Sequence, residues 1–145
     1  ANIDSQLREV GQATGIPAHL MLGQAALESG WGKRELKGMD GTPSYNLFGI
    51  KASGNWEGKT IDAVTTEYIG GIKQKRVEKF RAYDSYEDSF KDFANLMHNN
   101  PRYENVLANL HSSTDYAQAM QKAGYATDPL YANKLISVLQ RFNPS

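Results

Sequence analysis

The segment at residues 16–32, IPAHLMLGQAALESGWG, carries apolar side chains on nearly every side of a helix. At about 100° per residue, Leu20, Leu22 and Ala26 point in three different directions. Pro17 suits the first helical position, because its ring fixes φ and its missing N–H costs nothing there. A helix that is apolar all round is typical of a protein core, so this segment predicts a buried helix.

A shorter helical pattern precedes this buried helix. Apolar residues recur at Ile3, Leu7 and Val10 within residues 3–15. The sequence predicts a helix there that is capped by Asp4 or Ser5 and ends at Gly15, and that packs on the helix that follows. The polar residues 33–45 that come after the buried helix predict a loop.

Two segments rich in Thr, Val, Ile, Phe and Tyr follow the loop, at residues 59–69 and 74–83. This composition favours β-strands, and the intervening GGIK at residues 70–73 favours a turn. Together they predict a β-hairpin whose charged residues face solvent.

The remainder of the chain predicts four helices, of which the second is short and ends at Leu110. The expected helices begin at Asp84 or Ser85, at Asn100, at Thr114 and at Asp128. Their inner faces are formed by Tyr86, Phe90, Phe93, Leu96 and Met97, then by Tyr116, Ala119, Met120 and Ala123, and finally by Tyr131, Leu135, Val138 or Leu139, and Phe142. We therefore expect an α+β fold that is mainly helical, with a cleft between the helical lobe and a small antiparallel β-hairpin lobe.

Composition limits the classes of partner. The 145 residues contain no linker-like segment, so we expect a single domain over residues 1–145. The 16 basic and 16 acidic residues give no net charge, hence no electrostatic reason to expect nucleic acid or an anionic membrane. No apolar run reaches the ~18 residues that a membrane span requires.

Several kinds of catalytic site are disfavoured by the sequence. There are no cysteines, and His19, His98 and His111 show no metal-ligand spacing. Gly70-Gly71 fits a turn better than a phosphate-binding loop, and Ser29 lacks the G-x-S-x-G context of a serine hydrolase. We therefore expect neither a metal nor another cofactor.

Glu28 is the acidic residue of the buried helix, and it lies on an apolar face. Desolvation raises the pKa of a carboxyl group, which is what a general acid near neutral pH requires. Gly30 offers a left-handed helix end, and Trp31 a large ring beside the carboxylate. The alternative is that Glu28 caps the helix or forms a structural ion pair.

An acid at a helix end beside a cleft is typical of lysozyme-like glycosidases, which use a second carboxyl group across the cleft. Glu67, near the end of the first predicted strand, is the candidate, with Asp62, Glu57 and Glu78 as competitors. The alternative for Glu67 is a solvated residue paired with Lys or Arg across the hairpin.

Five ordered blocks of the sequence carry a family resemblance. They are AALESGWG at residues 25–32, NLFGIK at 46–51, FRAY at 80–83, RY at 102–103 and GYATDPLY at 124–131. With these blocks the chain resembles the glucosaminidase family, glycoside hydrolase family 73. The resemblance implies a lysozyme-like fold and hydrolysis of the β-1,4 bond between N-acetylglucosamine and N-acetylmuramic acid in peptidoglycan. It also implies that Glu28 is the general acid, Glu67 the β-lobe carboxylate and Tyr125 a third active-site group.

The resemblance leaves the route of attack on the anomeric carbon open. A carboxyl separation of about 6.5–9.5 Å suits inversion through water, and about 5–5.5 Å suits a covalent intermediate. A larger gap favours attack by the substrate's own acetamido group. Tyr125, after Gly124 at a helix end, could orient that group, or it could be a packed tyrosine bonded to backbone.

A glycan strand requires aromatic rings that stack on sugars and amides that meet hydroxyl groups. The candidates for substrate binding are Trp31, Tyr45, Asn46, Phe48, Tyr68 and Tyr103. Each ring is equally suited to the core.

Two alternatives to the hydrolase remain open from the sequence. A lytic transglycosylase would need only the acid, and a wall-binding module would use the same cleft without turnover. The expected partner is in each case a peptidoglycan glycan strand, which implies the periplasm or the exterior of a bacterial cell. The blocks also resemble those of flagellar members of the family, which implies flagellar rod proteins as further partners.

Overall fold

The computed structural model describes residues 2–142, which form helices and one two-stranded antiparallel sheet. The elements are α1 (Ile3–Thr14), α2 (Ala18–Ser29), β1 (Thr60–Ile69), β2 (Ile72–Arg81), α3 (Tyr86–Asn99), α4 (Glu104–Leu107), α5 (Ser113–Lys122) and α6 (Tyr131–Phe142), with a 3₁₀ turn at Pro101–Tyr103. The expected α+β fold, mainly helical, is confirmed. None of the helices in this part of the chain is long and apolar enough to cross a membrane.

The main core lies between α2 and the helices that surround it. Its fully buried side chains include Leu20, Met21, Phe90, Phe93, Met97, Tyr116, Met120, Leu135 and Leu139. Gly23 of α2 faces α6, where a β-carbon would overlap the side chain of Leu139. The absence of a side chain at Gly23 therefore allows α6 to pack closely on the helix that carries Glu28.

Three of the expected helix ends are confirmed. Gly15 and Gly30 end α1 and α2 in the left-handed conformation, with φ of 80° and 58°. Ser85 caps α3, and its hydroxyl accepts a hydrogen bond of 3.2 Å from the amide of Asp88. Val138 and Leu139 were the two alternatives for the inner face of α6, and Leu139 is the buried one.

Three expected helix starts are wrong by two or three residues. One of them is that of α6, which begins at Tyr131 and not at Asp128. Asn2 caps α1 and accepts from the amide of Ser5 at 2.8 Å. Ser112, and not Thr114, caps α5. At the starts of α1 and α5 several capping residues are adjacent, and the first of them with an extended backbone takes the role.

The hairpin is confirmed, but its turn is shorter than expected. Ile69 pairs directly with Ile72, so the turn contains only Gly70 and Gly71, both with positive φ. Two-residue turns of this kind match the twist of the strands. As a result, β2 begins and ends two residues earlier than the 74–83 expected from the sequence. A small second core of Ile61, Ala63, Phe80 and Ala82 lies under the base of the hairpin.

Candidate active site

A cleft of about 1250 Å³ lies between the helical lobe and the hairpin. Its walls come from the end of α2, the segment after Phe48, the second half of β1, and the connection between α5 and α6. The residues that line it include Leu27, Glu28, Gly49, Glu67, Tyr68, Tyr103, Tyr125, Thr127 and Tyr131. The cleft expected between the two lobes is therefore present.

Glu28 lies in the wall of this cleft, in the last turn of α2. Burial raises its pKa to about 7, and the negative charge of Glu67 adds a smaller increase. A hydrogen bond from the Tyr131 side chain acts in the opposite direction and lowers the pKa. Within residues 2–142 no basic side chain forms an ion pair with Glu28. The structure therefore gives no support to a structural ion pair.

Gly49 brings the backbone of the NLFGIK block against the carboxyl group of Glu28. A β-carbon at Gly49 would lie 2.8 Å from Oε2 of Glu28, and φ at Gly49 is 65°. Asn46 holds this turn, because its amide donates 2.9 Å hydrogen bonds to the carbonyls of Ile50 and Arg81. The block thus excludes water from one side of the acid.

Glu67 faces the same cleft from β1. Its Oε2 lies 3.0 Å from Nζ of Lys51, and its Oε1 accepts a 2.9 Å hydrogen bond from the hydroxyl of Thr127. The same hydroxyl oxygen accepts from the amide of Tyr68 at 3.0 Å. Both oxygens of Glu67 are thereby held in place.

The three competitors of Glu67, which are Asp62, Glu57 and Glu78, do not line the cleft. Asp62 pairs instead with Lys79 at the exposed side of the hairpin. Among the described residues no group of three or more His, Asp or Glu side chains could hold a metal ion.

Tyr125 lines the cleft at the start of the α5 to α6 connection. Its hydroxyl donates a 2.5 Å hydrogen bond to the carbonyl of Phe48, next to Gly49. Burial raises its pKa well above the ordinary value, so the phenol stays neutral. Tyr125 therefore fastens the segment that covers Glu28, while its oxygen can still accept a hydrogen bond.

Tyr131 and Gln24 are two site residues that the sequence interpretation missed. Gln24 is fully buried, its Nε2 donates to the hydroxyl of Tyr131 at 3.0 Å, and its Oε1 accepts from the hydroxyl of Tyr116. Tyr131 lines the same cleft as Glu28, and its side chain lowers the pKa of Glu28 by hydrogen bonding. The available signal was the amide of Gln24 on an otherwise apolar helix, because a buried amide requires partners.

The structure brings Tyr68 and Tyr103 of the expected substrate-binding residues to the cleft. Tyr103 is mostly covered, with 5% of its surface exposed, and its ring meets that of Tyr125 edge-on at 6.1 Å. Tyr68 is the more accessible of the two rings.

Phe48 and Asn46 have structural roles in place of the expected substrate contact. Phe48 is fully buried and stacks on Phe93 at 4.4 Å. Asn46 is 3% exposed, and all its side-chain hydrogen bonds go to backbone groups. The core takes the ring of Phe48 because the turn at Gly49 directs the preceding side chain inward.

Trp31 and Tyr45 lie outside the cleft lining. Trp31 follows Gly30 with a φ of 61°, and this reversal of the chain places its ring on Phe142, with centroids 5.4 Å apart. Tyr45 packs edge-on against Tyr86 at 5.1 Å. The expectation that these two rings form part of the binding surface is therefore not met.

A helical lobe, a hairpin lobe and a desolvated carboxyl group in the cleft between them define a lysozyme-like glycoside hydrolase domain. Comparison with known proteins agrees with this class. Residues 4–144 match the glucosaminidase family, described as mannosyl-glycoprotein endo-beta-N-acetylglucosaminidase. The chain belongs to this family.

Similar proteins carry peptidoglycan hydrolase names. The chain is 52% identical over 130 residues to peptidoglycan hydrolase FlgJ of Escherichia coli K12, covering 90% of this chain and 41% of that protein. A mutant peptidoglycan hydrolase from Sphingomonas sp. A1 superposes with a TM-score of 0.85 at 52% identity, over 93% of this chain and 86% of that one. The truncated glycoside hydrolase domain of Salmonella typhimurium FlgJ gives a TM-score of 0.72 at 42% identity, over 99% and 94%. The chain thus spans less than half the length of the curated relative.

Proposed function

We propose that this chain hydrolyses the β-1,4 bond between N-acetylglucosamine and N-acetylmuramic acid in peptidoglycan. The observation that carries the proposal is the position of Glu28 in the cleft with a pKa of about 7. Near neutral pH about half of the molecules hold the proton that a leaving glycosidic oxygen must receive. The names of the similar proteins from Escherichia coli and Sphingomonas support peptidoglycan as the substrate.

In this proposal Glu67 is the second catalytic carboxylate. It reaches the cleft from the opposite lobe, and Lys51 and Thr127 fix its two oxygens. A carboxylate held in this way can stabilise the positive charge that develops on the sugar ring. A lytic transglycosylase has no need of such a group, which favours the hydrolase.

Tyr125 is the third group in the proposed reaction. Its proton is used in the hydrogen bond to Phe48, so it faces the cleft as an acceptor. An acceptor there suits the N–H of the substrate's acetamido group and would orient that group near the anomeric carbon. Tyr68 and Tyr103 extend the surface on which neighbouring sugars lie.

We also propose a place for this activity in the cell. The similarity to FlgJ proteins supports a role in opening the cell wall locally for assembly of the flagellar rod, with rod proteins as partners. Such a role requires the protein in the periplasm, where the glycan strands are.

Digestion of purified peptidoglycan tests the proposal, with the fragments separated and weighed by mass spectrometry. We expect fragments with N-acetylglucosamine at the reducing end from the unaltered chain, and at least 100-fold slower release from Glu28→Gln, since general acid catalysis contributes about 10²–10⁴-fold. Tyr86→Phe, at a site outside the cleft, serves as the matched control.

Two other results would replace the proposal. Fragments about 18 mass units lighter, from loss of one water in internal attack, would identify a transglycosylase. Binding to cell-wall sacculi without any fragments, equal in the unaltered chain and in Glu28→Gln, would identify a wall-binding module.

A further inference from the structure

A buried row of polar groups leads from the middle of the helical core to the candidate acid. Tyr116 and Gln24 are both fully buried, and Tyr131 is 4% exposed. They come from α5, α2 and α6, so three helices converge on this row. Each polar side-chain atom of the row has a partner, which is the condition under which a buried polar network specifies one arrangement.

The hydrogen bonds of this row run in one direction. The hydroxyl of Tyr116 donates to Oε1 of Gln24. Nε2 of Gln24 must then donate, and it does so to the hydroxyl oxygen of Tyr131 at 3.0 Å. Because that oxygen already accepts a hydrogen bond from Gln24, the O–H of Tyr131 is free to donate to the carboxyl group of Glu28.

We propose that Tyr131 is a positioning residue for Glu28, and that Gln24 and Tyr116 determine the direction in which its hydroxyl donates. This inference rests on the proposed function, because it concerns how the acid of that reaction is held. If the Gln24 amide were flipped, its Oε1 would face Tyr131 and would accept the hydrogen bond that the Tyr131 hydroxyl donates. Glu28 would then lose this donor. In the arrangement observed, the three residues thus direct the hydroxyl of Tyr131 at the carboxyl group of Glu28.

The arrangement also counteracts part of the effect of burial on the acid. A hydrogen bond donated to a carboxylate favours the charged form, whereas desolvation and the charge of Glu67 favour the neutral form. With the hydroxyl of Tyr131 in place the pKa of Glu28 lies at about 7. Without that hydroxyl it would lie higher, and the acid would be slower to lose its proton near neutral pH.

The test is Tyr131→Phe, which removes the hydroxyl and keeps the ring. We expect the alkaline limb of kcat/KM on peptidoglycan to move to higher pH by roughly one unit, as for the loss of one hydrogen bond to a charged group. The titration of Glu28, followed by carbon-13 NMR of labelled glutamate carboxyls, should move by the same amount. This second measurement does not depend on activity.

Two further variants separate positioning from folding. Tyr116→Phe releases the amide of Gln24 without touching Glu28, and we expect a smaller movement in the same direction. Tyr86→Phe removes another tyrosine hydroxyl that donates to a carboxylate, that of Glu35, away from the cleft. It should leave both the alkaline limb and the titration of Glu28 unchanged.

Each outcome decides a separate question. If Tyr131→Phe folds and the titration of Glu28 is unchanged in it, the inference is overturned. If Tyr131→Phe does not fold, an unchanged titration of Glu28 in Tyr116→Phe overturns the inference. A wild-type chain that releases no fragments overturns the proposed function instead, while the titration still reports whether Tyr131 controls the carboxyl group.

Discussion

The surrounding fold disfavours the charged form of the Glu28 carboxyl group. Its pKa rises from 4.5 to about 7, mainly through burial, and the hydrogen bond from Tyr131 offsets only part of that increase. Because the folded chain binds this proton more tightly than the unfolded chain, stability falls as pH rises between these two values. Above about pH 7 the folded protein bears the full cost of a buried negative charge.

Replacing Glu28 by Gln should therefore stabilise the protein at alkaline pH. At about pH 8 we expect a gain of up to roughly 3 kcal/mol in the free energy of unfolding, because Gln keeps the shape and the acceptor for Tyr131 but carries no charge. At about pH 4 the two proteins should be nearly equal, since Glu28 is neutral there in the folded state. Urea denaturation at both pH values measures this, and strong destabilisation at pH 8 would indicate that the charge of Glu28 is structurally paired.

The sequence was sufficient to place Glu28 in a desolvated position on a buried helix, because a single acidic residue on an apolar helix is a local pattern. It could not show the role of Tyr131, whose spacing in α6 is also that of a core residue. The contact of Tyr131 with Gln24 and Glu28 exists only after α6 packs on α2. Phe48 was ambiguous for a similar reason, since a ring in a loop can face either a cleft or the core, and only the packing against Phe93 decides.

The hairpin is joined to the helical lobe at both of its ends. At its base, Phe80 pairs with Lys51 in an isolated bridge. Near its tip, Thr127 of the α5 to α6 connection bonds both the carboxylate of Glu67 and the amide of Tyr68. The position of Glu67 in the cleft thus depends on two groups outside the sheet, the ammonium group of Lys51 and the hydroxyl group of Thr127.

Thr127→Val tests this dependence, because valine keeps the shape of threonine and removes its hydroxyl. We expect faster amide hydrogen exchange at Tyr68 and a loss of about 5-fold in kcat/KM, from roughly 1 kcal/mol of lost hydrogen bonding. Thermal stability should change little, because the site is exposed. Thr127→Ser retains the hydroxyl and should behave as the unaltered chain; equal losses in both variants would contradict the dependence on the hydroxyl.

At the level of elements, periodicity and composition predicted the helices and the hairpin, and the structure confirms them. The length of the hairpin turn was not predictable in the same way. The GGIK segment is compatible with a turn of two or four residues, and cross-strand packing selects the shorter one. The second candidate strand alternates imperfectly, so the sequence carried little information on its register.

In the molecule as a whole, the close packing of α2 and α6 connects the core to the acid. Gly23 faces Leu139 at the point of contact, and Tyr131 begins the same helix that Leu139 anchors. Any change that pushes α6 away from α2 should therefore affect stability and activity together.

Gly23→Ala provides this change, because its methyl group would overlap Leu139. We expect a loss of about 1–3 kcal/mol in stability and a fall in kcat/KM through displacement of Tyr131. Adding Leu139→Ala makes room for the methyl group. The loss of stability in the double variant should therefore be about 1 kcal/mol smaller than the sum of the losses in the two single variants. Additive losses would show that the two helices do not meet tightly at this point.

The packing of α6 on α2 also has a consequence for the order of synthesis. Glu28 emerges from the ribosome early, but Tyr131 and the rest of α6 emerge only after about a hundred further residues, and domains generally fold once their elements are complete. Until then the carboxyl group is open to water and has the pKa of an ordinary glutamate. A nascent chain, or one cut by a protease ahead of α6, would carry every residue of the AALESGWG block and yet no acid able to work near neutral pH. The helix α6 therefore delays the proposed activity until it has packed on α2.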